Sequence, residues 1–574
     1  MATHDLLIEI GTEELPPKAL RKLADHFFAE CMQGLVTARL IDNTDSGKLY
    51  FSPRRLALVA GNILSEQPDQ SVERFGPAVN IAFTENGEPG KAAQGFAKSC
   101  GTTVDQLEQK DGKLFYASVA KGKTAAVLIP GIVNEALTRL PIPKRMRWGD
   151  SSAEFVRPVH WVIMLLGKDV IDCDILGVKT GHESRGHRYH HPDQITIESA
   201  GKYVSQLRKA HVWLNDSQGS LNQAISEQVQ SLAKSVDGIA LNSAADSELV
   251  AEIAALVEWP VPVLGNFDPK FLALPEEVLI ATMEGQQRYF PLRAPDSGEL
   301  LPHFITVANI ESREPERIRA GNERVIVPRL TDAMFFWDKD RAQSLASRVT
   351  LLDDMTFQKQ LGSLGDKQRR VAQLAEHIAT AIGSDPAQAR RAAEISKCDL
   401  LTDLVGEFPE LQGTIGRYIA RHDGESEDVA AAIESHYLPR FAGDRVADTK
   451  TGQALAIADR LDTLAGIFAI GQAPTGEKDP FALRRAALGL LRTIIENALP
   501  LDLADNLERA ASALPETCRQ GFKPNEVMPF IMERLRRYYL DNGVNSDSFE
   551  AVLACVPTRP FDFHQRLLAV EAFR

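Results

Sequence analysis

Cysteine is scarce in this 574-residue sequence, and its spacing excludes two kinds of small-domain architecture. No two of the six cysteines stand at the C-x-x-C spacing, so neither a zinc ribbon nor a disulfide framework is indicated. They occupy positions 31, 100, 173, 398, 518 and 555. This usage is typical of a reducing compartment, and we expect a cytoplasmic localisation.

Long apolar runs are lacking as well. The strongest run, residues 161–166, is far shorter than the ~20 residues that a helix needs to span a bilayer. The first residues lack the basic segment and the long apolar segment of a secretory signal. The sequence therefore predicts neither a membrane span nor a signal peptide.

Positive charge is in deficit, because 64 Lys and Arg residues face 78 Asp and Glu residues, for a net charge of -14. This balance argues against indiscriminate binding of nucleic acid, since such binding grows with the number of phosphates that the protein neutralises. It does not exclude a local basic track. An acidic body with a few basic patches would hold an RNA at chosen places and still release it.

The chain is longer than one hydrophobic core usually supports, and its pattern predicts a multidomain α+β fold. Residues 1–340 alternate apolar strands, such as 155–166 and 304–310, with helical windows, which predicts a mixed α/β body of two or more subdomains. Residues 341–475 predict an all-helical domain. Residues 476–574 predict further helices, the first capped by Asp479 and beginning at Pro480.

Residues 6–18 (LLIEIGTEELPPK) form the most informative segment of the sequence. Leu6 to Ile10 suit a buried strand, Gly11 permits a turn, and the double proline fixes the backbone where a helix starts. Thr12 is the predicted cap of that helix. The simplest interpretation is a strand-to-helix corner.

A basic turn lies at residues 140–149 (LPIPKRMRWG). Lys144, Arg145 and Arg147 combine a point charge with guanidinium forks, and Trp148 adds a stacking face. This is the best local candidate for contact with nucleic acid. The alternative is that Trp148 packs in the core and the basic side chains are merely solvated.

A histidine-rich loop follows at residues 182–191 and allows three interpretations. Imidazole is a common zinc ligand, but no cysteine or carboxylate set accompanies His182, His187, His190 and His191 at a matching spacing. Arg185, Arg188 and Tyr189 interleave with the histidines, as on a surface that touches phosphate or a base, and we prefer this RNA-contact hypothesis. A plain structural loop is the third possibility.

The helical region contains residues 457–462 (IADRLD), which resemble the last metal-binding element of HD-type phosphohydrolases. The earlier elements are altered: Lys367 stands where the first histidine is expected, and Cys398-Asp399 replaces the paired His-Asp. Asp399 and Asp459 would be left without imidazole partners. We therefore expect an HD-like scaffold without metal or chemistry.

Taken in order, several motifs resemble the beta subunit of the bacterial two-subunit glycyl-tRNA synthetase. The resemblance covers the whole chain, and no Ser-His-Asp, Cys-His or adenylation signature accompanies it. The motifs are LLIEIGTEELPPK at residues 6–18, SPRRLAL at 52–58, LPIPKRMRWG at 140–149, RGHR at 185–188, VEWP at 257–260, VANIES at 307–312 and DPFALRR at 479–485.

The resemblance implies a division of labour between two chains. The alpha subunit would carry the class II active site with its ATP and Mg²⁺, and this chain would carry no catalytic residue and no cofactor. Its partners would be the alpha subunit, in an alpha2beta2 tetramer, and tRNA(Gly). The residues that we expect to contact the tRNA are Lys144, Arg145, Arg147, Trp148, Arg185, His187, Arg188, Arg534 and Arg537.

The resemblance also bears on the C-terminal region. The helix over residues 533–540 (ERLRRYYL) has the basic and aromatic face typical of an anticodon-binding domain, and it contains Arg534 and Arg537. Because the family continues beyond such a helix, we expect the domain to be incomplete at Arg574. Two rival functions stay open: an HD-type metal-dependent phosphohydrolase, and an RNA-binding scaffold unrelated to aminoacylation.

Overall fold

The computed structural model describes residues 2–84, 88–476, 478–555 and 557–574. The chain forms a mixed α/β, multidomain protein that divides into two compact units. The first unit comprises residues 1–266 and 287–324, and the second comprises 267–286 and 325–574. Among the described residues, no helix combines the length and the apolar character that a membrane span requires.

The first unit is organised around a mostly antiparallel sheet of eight strands. Asp169–Val170 pairs with Val159–Leu166 beside the main path. In spatial order the other strands are Asp174–Ile175, Val178–Gly181, Val159–Leu166, Thr3–Thr12, Arg55–Leu64, Gly47–Ser52 and Asn215–Asp216.

The first strand, Thr3–Thr12, is buried on both faces of this sheet. Leu6, Ile8 and Ile10 face a core formed with the helices Pro17–Thr37 and Ala125–Arg139. Leu7 faces a second core that includes the helix Tyr203–Lys209. Because successive side chains of a strand alternate between faces, an unbroken apolar run suits a strand between two layers.

Smaller elements complete the first unit. The helices are Val79–Ala82, Lys91–Ser99, Ser220–Lys234 and Glu248–Ala254. A three-stranded sheet consists of Gln70–Ala78, Lys113–Ala120 and Glu108–Lys110, and a four-stranded sheet of Ile239–Ala240, Phe290–Arg293, Leu300–Ala308 and Val261–Asn266. Two hairpins pair Met146–Arg147 with Glu154–Phe155, and Glu183–Arg185 with Gln194–Thr196.

The second unit is predominantly helical. One short hairpin, Thr356–Gln358 with Gly362–Ser363, precedes most of its helices. The helix Pro315–Arg341 begins in the first unit's residues and ends in the second's. The other helices are Glu276–Ile280, Leu345–Arg348, Leu364–Ile382, Pro386–Ile395, Asp403–Glu407, Thr414–His422, Glu427–Ser435, Lys450–Ala469, Leu483–Glu496, Leu503–Ser512, Glu516–Arg519, Pro524–Asp541, Ser546–Leu553 and Pro560–Phe573, with a π-helical turn at Ala281–Gln287.

The helix Lys450–Ala469 lies at the centre of the second unit, and seventeen of its twenty residues are buried. A helix that is buried on all sides is expected to be apolar around its whole circumference, and this one is rich in alanine and leucine. Its buried polar residues, which include Asp462, must therefore find partners inside the protein.

Three local predictions differ from the structure. Thr12 is the last residue of its strand and does not cap the following helix, which begins directly at Pro17. The predicted strand 155–166 is two strands, Glu154–Phe155 and Val159–Leu166, separated at Pro158, which has no N–H for the ladder. The helix expected at Pro480 begins at Leu483, although Asp479 still accepts hydrogen bonds from the N–H groups of Leu483 and Arg484.

Candidate functional site

A buried ion network holds the first strand to distant parts of the first unit. Arg55 is fully buried, and its guanidinium lies 3.7 Å from Glu9 Oε1 and 3.2 Å from Glu258 Oε1. Arg54 contributes a second cation, with Nη2 2.9 Å from Glu258 Oε2, and Ser52 Oγ donates to Glu258 Oε1 at 2.8 Å. Burial alone would raise the pKa of Glu258, but Arg55 and Arg54 hold it below its usual value.

Trp161 covers this network. Its indole N–H donates to Glu9 Oε1 at 2.6 Å, and its ring lies 5.6 Å from the Arg55 guanidinium carbon. The same ring packs on Gly11, where a Cβ atom would lie 1.9 Å from a ring carbon. Glycine is therefore required at this position by the close approach of the ring, and not by the predicted turn, because Gly11 lies within the strand and has no positive φ.

The network also fixes the histidine-rich loop. Arg54 donates to the carbonyl of Gly186 at 2.8 Å, and Arg55 donates to the carbonyl of Arg185 at 3.1 Å. His187 is buried, and its Nδ1 accepts from the N–H groups of Tyr189 and His190. The His187 ring therefore stabilises the loop backbone and is not exposed to a ligand. Arg185, by contrast, is half-buried and remains partly accessible.

Arg188 is the exposed basic group of this loop, and two acidic side chains already hold it. Its guanidinium lies 2.9 Å from Glu13 and 3.0 Å from Glu14, the acidic pair of the opening motif. The hydrogen bond to Arg188 lowers the pKa of Glu13. An RNA phosphate that binds Arg188 must therefore compete with two carboxylates.

The side chains of the basic turn have three different environments. Lys144 and Arg147 are exposed, and Arg147 faces Glu154 loosely at 4.0 Å. Arg145 donates at 2.9 Å to the carbonyl of Thr138, near the end of the helix Ala125–Arg139. Trp148 is half-buried against the core. Lys144 and Arg147 are thus the groups of this turn that are free to bind phosphate.

In the second unit, the basic helix is Pro524–Asp541. Arg537 is exposed, and the guanidinium carbon of Arg534 lies 5.7 Å from the centre of the Phe530 ring. Arg536, on the same helix, pairs with Glu550 and Glu533. Arg537 is therefore the more accessible of the two predicted contacts here.

A row of aromatic rings in the first unit was not predicted from the sequence. His187, His190, His211 and Trp259 follow one another with ring centres 4.8 Å apart at each step. Burial, together with the neighbouring histidines, lowers the pKa of His190, which favours its neutral form. Beyond Trp259, the guanidinium carbon of Arg208 lies 3.2 Å from the ring centre of Trp213 and 4.9 Å from that of Trp259.

Two of the HD-like positions, Lys367 and Asp459, lie next to each other in the second unit. Lys367 Nζ lies 3.2 Å from Asp459 Oδ1 and 3.2 Å from Asp462 Oδ2, and it donates to Thr463 Oγ1 at 2.8 Å. Arg370 makes a bidentate pair with Asp462 at 2.6 and 3.2 Å. Burial would raise the pKa of Asp459, but Lys367 and other nearby cations hold it well below its usual range.

Asp399 has a different role. Its Oδ2 accepts from the N–H groups of Gly413 and Gly416 at 2.5 and 3.2 Å, so it fixes backbone and does not face Lys367. Burial raises the pKa of Asp399 to about 6. Throughout the described ranges, no group of three or more His, Cys, Asp or Glu side chains has an arrangement that could hold a metal ion.

The comparisons with known proteins agree on one family. The family model described as "Glycyl-tRNA synthetase beta subunit" matches residues 6–554. Proteins named glycine–tRNA ligase beta subunit are 48% identical in Pseudomonas fluorescens strain Pf0-1 and in Pseudomonas putida strain KT2440, and 46% identical in Pseudomonas aeruginosa strain LESB58. Each of these alignments covers 574 residues, which are 100% of this chain and 83% of the relative.

Replacing Glu258 with Gln tests the buried ion network. The substitution keeps the size of the side chain but leaves Arg54 and Arg55 without their shared counter-charge, so we expect the first unit to lose about 3 kcal/mol of stability. Urea unfolding followed by tryptophan fluorescence measures this loss, because four of the five tryptophans, at positions 148, 161, 213 and 259, lie in that unit. Glu30→Gln, which affects an exposed pair with Arg139, is the control. Equal midpoints for the two variants would contradict the assignment.

Replacing Lys367 with Met tests whether the ammonium group is the structural counter-ion of the HD-like positions. Loss of the charge leaves the carboxylates of Asp459 and Asp462 short of a partner, so we expect the second unit to be destabilised by about 3 kcal/mol. Far-ultraviolet circular dichroism during urea unfolding reports on this helical unit. The control is Lys359→Met, at an exposed lysine. A Lys367→Met protein as stable as wild type would show that the ammonium group is dispensable.

Proposed function

The chain belongs to the glycyl-tRNA synthetase beta subunit family, and on that premise we propose that it binds and positions tRNA(Gly) within a glycine–tRNA ligase. The family match carries this proposal, because it extends over both compact units and is not confined to one motif. Glycylation takes place in a complex with the alpha subunit, where the adenylate forms. This chain holds the tRNA so that its 3′ end reaches that adenylate, which lowers the entropic cost of the transfer.

The assembly is an alpha2beta2 tetramer in the cytoplasm, and its ATP and Mg²⁺ belong to the alpha subunit. The residues 341–475 act as an HD-like scaffold, and the residues 476–574 contribute to anticodon binding. The ion pairs of Lys367 with Asp459 and Asp462 support a scaffold without hydrolytic chemistry, because an ammonium group already balances these carboxylates. A metal-dependent phosphohydrolase is not favoured for the same reason.

The tRNA contacts that we propose are the basic turn and the histidine-rich loop in the first unit and, separately, the basic helix in the second. Lys144 and Arg147 are the strongest of these contacts, because both are exposed and neither is held by a close ion pair. Arg145, Trp148 and His187 stabilise the segments that carry these contacts, through a helix carbonyl, the core and a loop N–H respectively. Arg185, Arg188, Arg534 and Arg537 supply further cations.

Glycine-dependent exchange of pyrophosphate into ATP tests the division of labour. The purified chain should show no exchange, the alpha subunit should supply it, and the mixture of both should charge tRNA(Gly) with glycine. Identical preparations without glycine control for contaminating activities. Robust exchange by this chain in the absence of its partner would overturn the proposal.

Replacing both Lys144 and Arg147 with Ala tests the basic turn. We expect weaker tRNA binding for all sequences and a salt dependence reduced by about two phosphate contacts, while glycine activation by the complex is unchanged. Labelled tRNA is titrated at several salt concentrations. Arg145→Ala is the matched control, because that guanidinium binds helix carbonyls and should alter stability without altering the salt slope. An unchanged slope in the double variant would mean that its two cations are merely solvated.

A further inference from the structure

A cavity of about 420 Å³ opens in the second unit next to the HD-like positions. Its volume falls within the range of small-molecule sites. The polar part of its wall consists chiefly of Lys397, His436, Tyr437, Arg440, Asp459 and Arg485. Phe481 adds an aromatic side chain to the same wall.

Lys397 places a buried positive charge at this cavity. Its side chain is almost fully buried, and its Nζ donates to Nε2 of His436 at 2.7 Å. His436 is a neutral acceptor there, because its Nδ1 donates to the carbonyl of Ile433 at 2.7 Å and burial lowers its pKa. Within the described residues no carboxylate forms a direct ion pair with Lys397. Burial lowers the pKa of Lys397 to about 8, although the nearby charges of Asp459 and Asp399 favour its ammonium form.

Taken together, the groups of the wall carry more positive than negative charge. Asp459 is paired with Lys367, and Glu410 is exposed. Arg440 and Arg485 have no carboxylate partner in the part of the chain that the structure describes. The hydroxyl of Tyr437 is buried without a hydrogen-bond partner, which leaves a donor available at the wall.

We propose that this cavity binds a phosphate-bearing ligand of mononucleotide size. A phosphate group would accept a hydrogen bond from Lys397 and from the guanidinium groups of Arg440 and Arg485, which match its geometry. The ring of Phe481 offers a stacking face for a base. The ligand is either a free nucleotide or a nucleotide of a bound RNA, since both present the same chemistry. This site goes beyond the proposed tRNA surface, and its existence does not depend on the aminoacylation function.

Isothermal titration of the full chain with AMP and with inorganic phosphate tests the site. AMP should bind the wild-type protein, and Arg485→Gln should weaken its binding about tenfold, as expected for the loss of a charged hydrogen bond. Lys397→Met should abolish binding. If that buried substitution prevents folding, the exposed Arg485 variant still decides the question. Arg445→Gln, at an exposed arginine outside the cavity wall, is the matched control and should bind like wild type.

Competition by uncharged tRNA distinguishes the two sources of the ligand. If tRNA displaces AMP from the wild-type chain, the cavity receives a nucleotide of the RNA. If AMP stays bound beside tRNA, the ligand is a free nucleotide. Absence of binding by both AMP and phosphate, or equal AMP affinity in the wild-type and Arg485→Gln proteins, would overturn the proposal. Neither result would affect the pyrophosphate exchange expected of the complex, so the two proposals fail separately.

Discussion

Glu258 and the two arginines that share it, Arg54 and Arg55, connect segments of the first unit that are about 200 residues apart in the chain. The free-energy cost of burying these charges is high unless each is paired and hydrogen-bonded, so their arrangement leaves little freedom to the segments that bear them. Both arginines also bind carbonyls of the histidine-rich loop. The loop, the SPRRLAL segment and the VEWP segment are therefore held in one geometry by the Glu258 carboxylate, and Glu9 joins the opening strand to the same network through Arg55.

The second unit balances buried charge in a similar way. Lys367 and Arg370 surround Asp462, and Lys367 also pairs with Asp459. In each unit, keeping the buried charges paired contributes more to stability than any exposed ion pair does, because solvent screens the exposed pairs. The ammonium group of Lys367 thus balances the buried carboxylates of Asp459 and Asp462, and Lys397 lies in the wall of the neighbouring cavity.

Local pattern was sufficient to predict some elements of the fold. The apolar run Leu6 to Ile10 predicted a strand, and the double proline predicted the start of the next helix, because both depend on neighbouring residues only. Two predictions of helix starts were wrong: Thr12 does not cap a helix, and the helix expected at Pro480 begins at Leu483. The ends of helices and strands depend on tertiary contacts, which a local pattern does not contain. The partners of Glu258 and Arg145 could not be predicted, because they come from distant segments or from backbone carbonyls that no side-chain pattern marks.

Transfer of glycine in a single turnover tests the central claim most directly. Glycyl-adenylate is first formed on the alpha subunit and isolated with it, tRNA(Gly) is then added, and the rate of glycyl-tRNA formation is measured with and without this chain. If this chain positions the tRNA as proposed, transfer by the alpha subunit alone should be slow, and the rate should increase greatly when the chain is present. Equal rates in the two reactions would contradict the claim that tRNA positioning resides in this subunit.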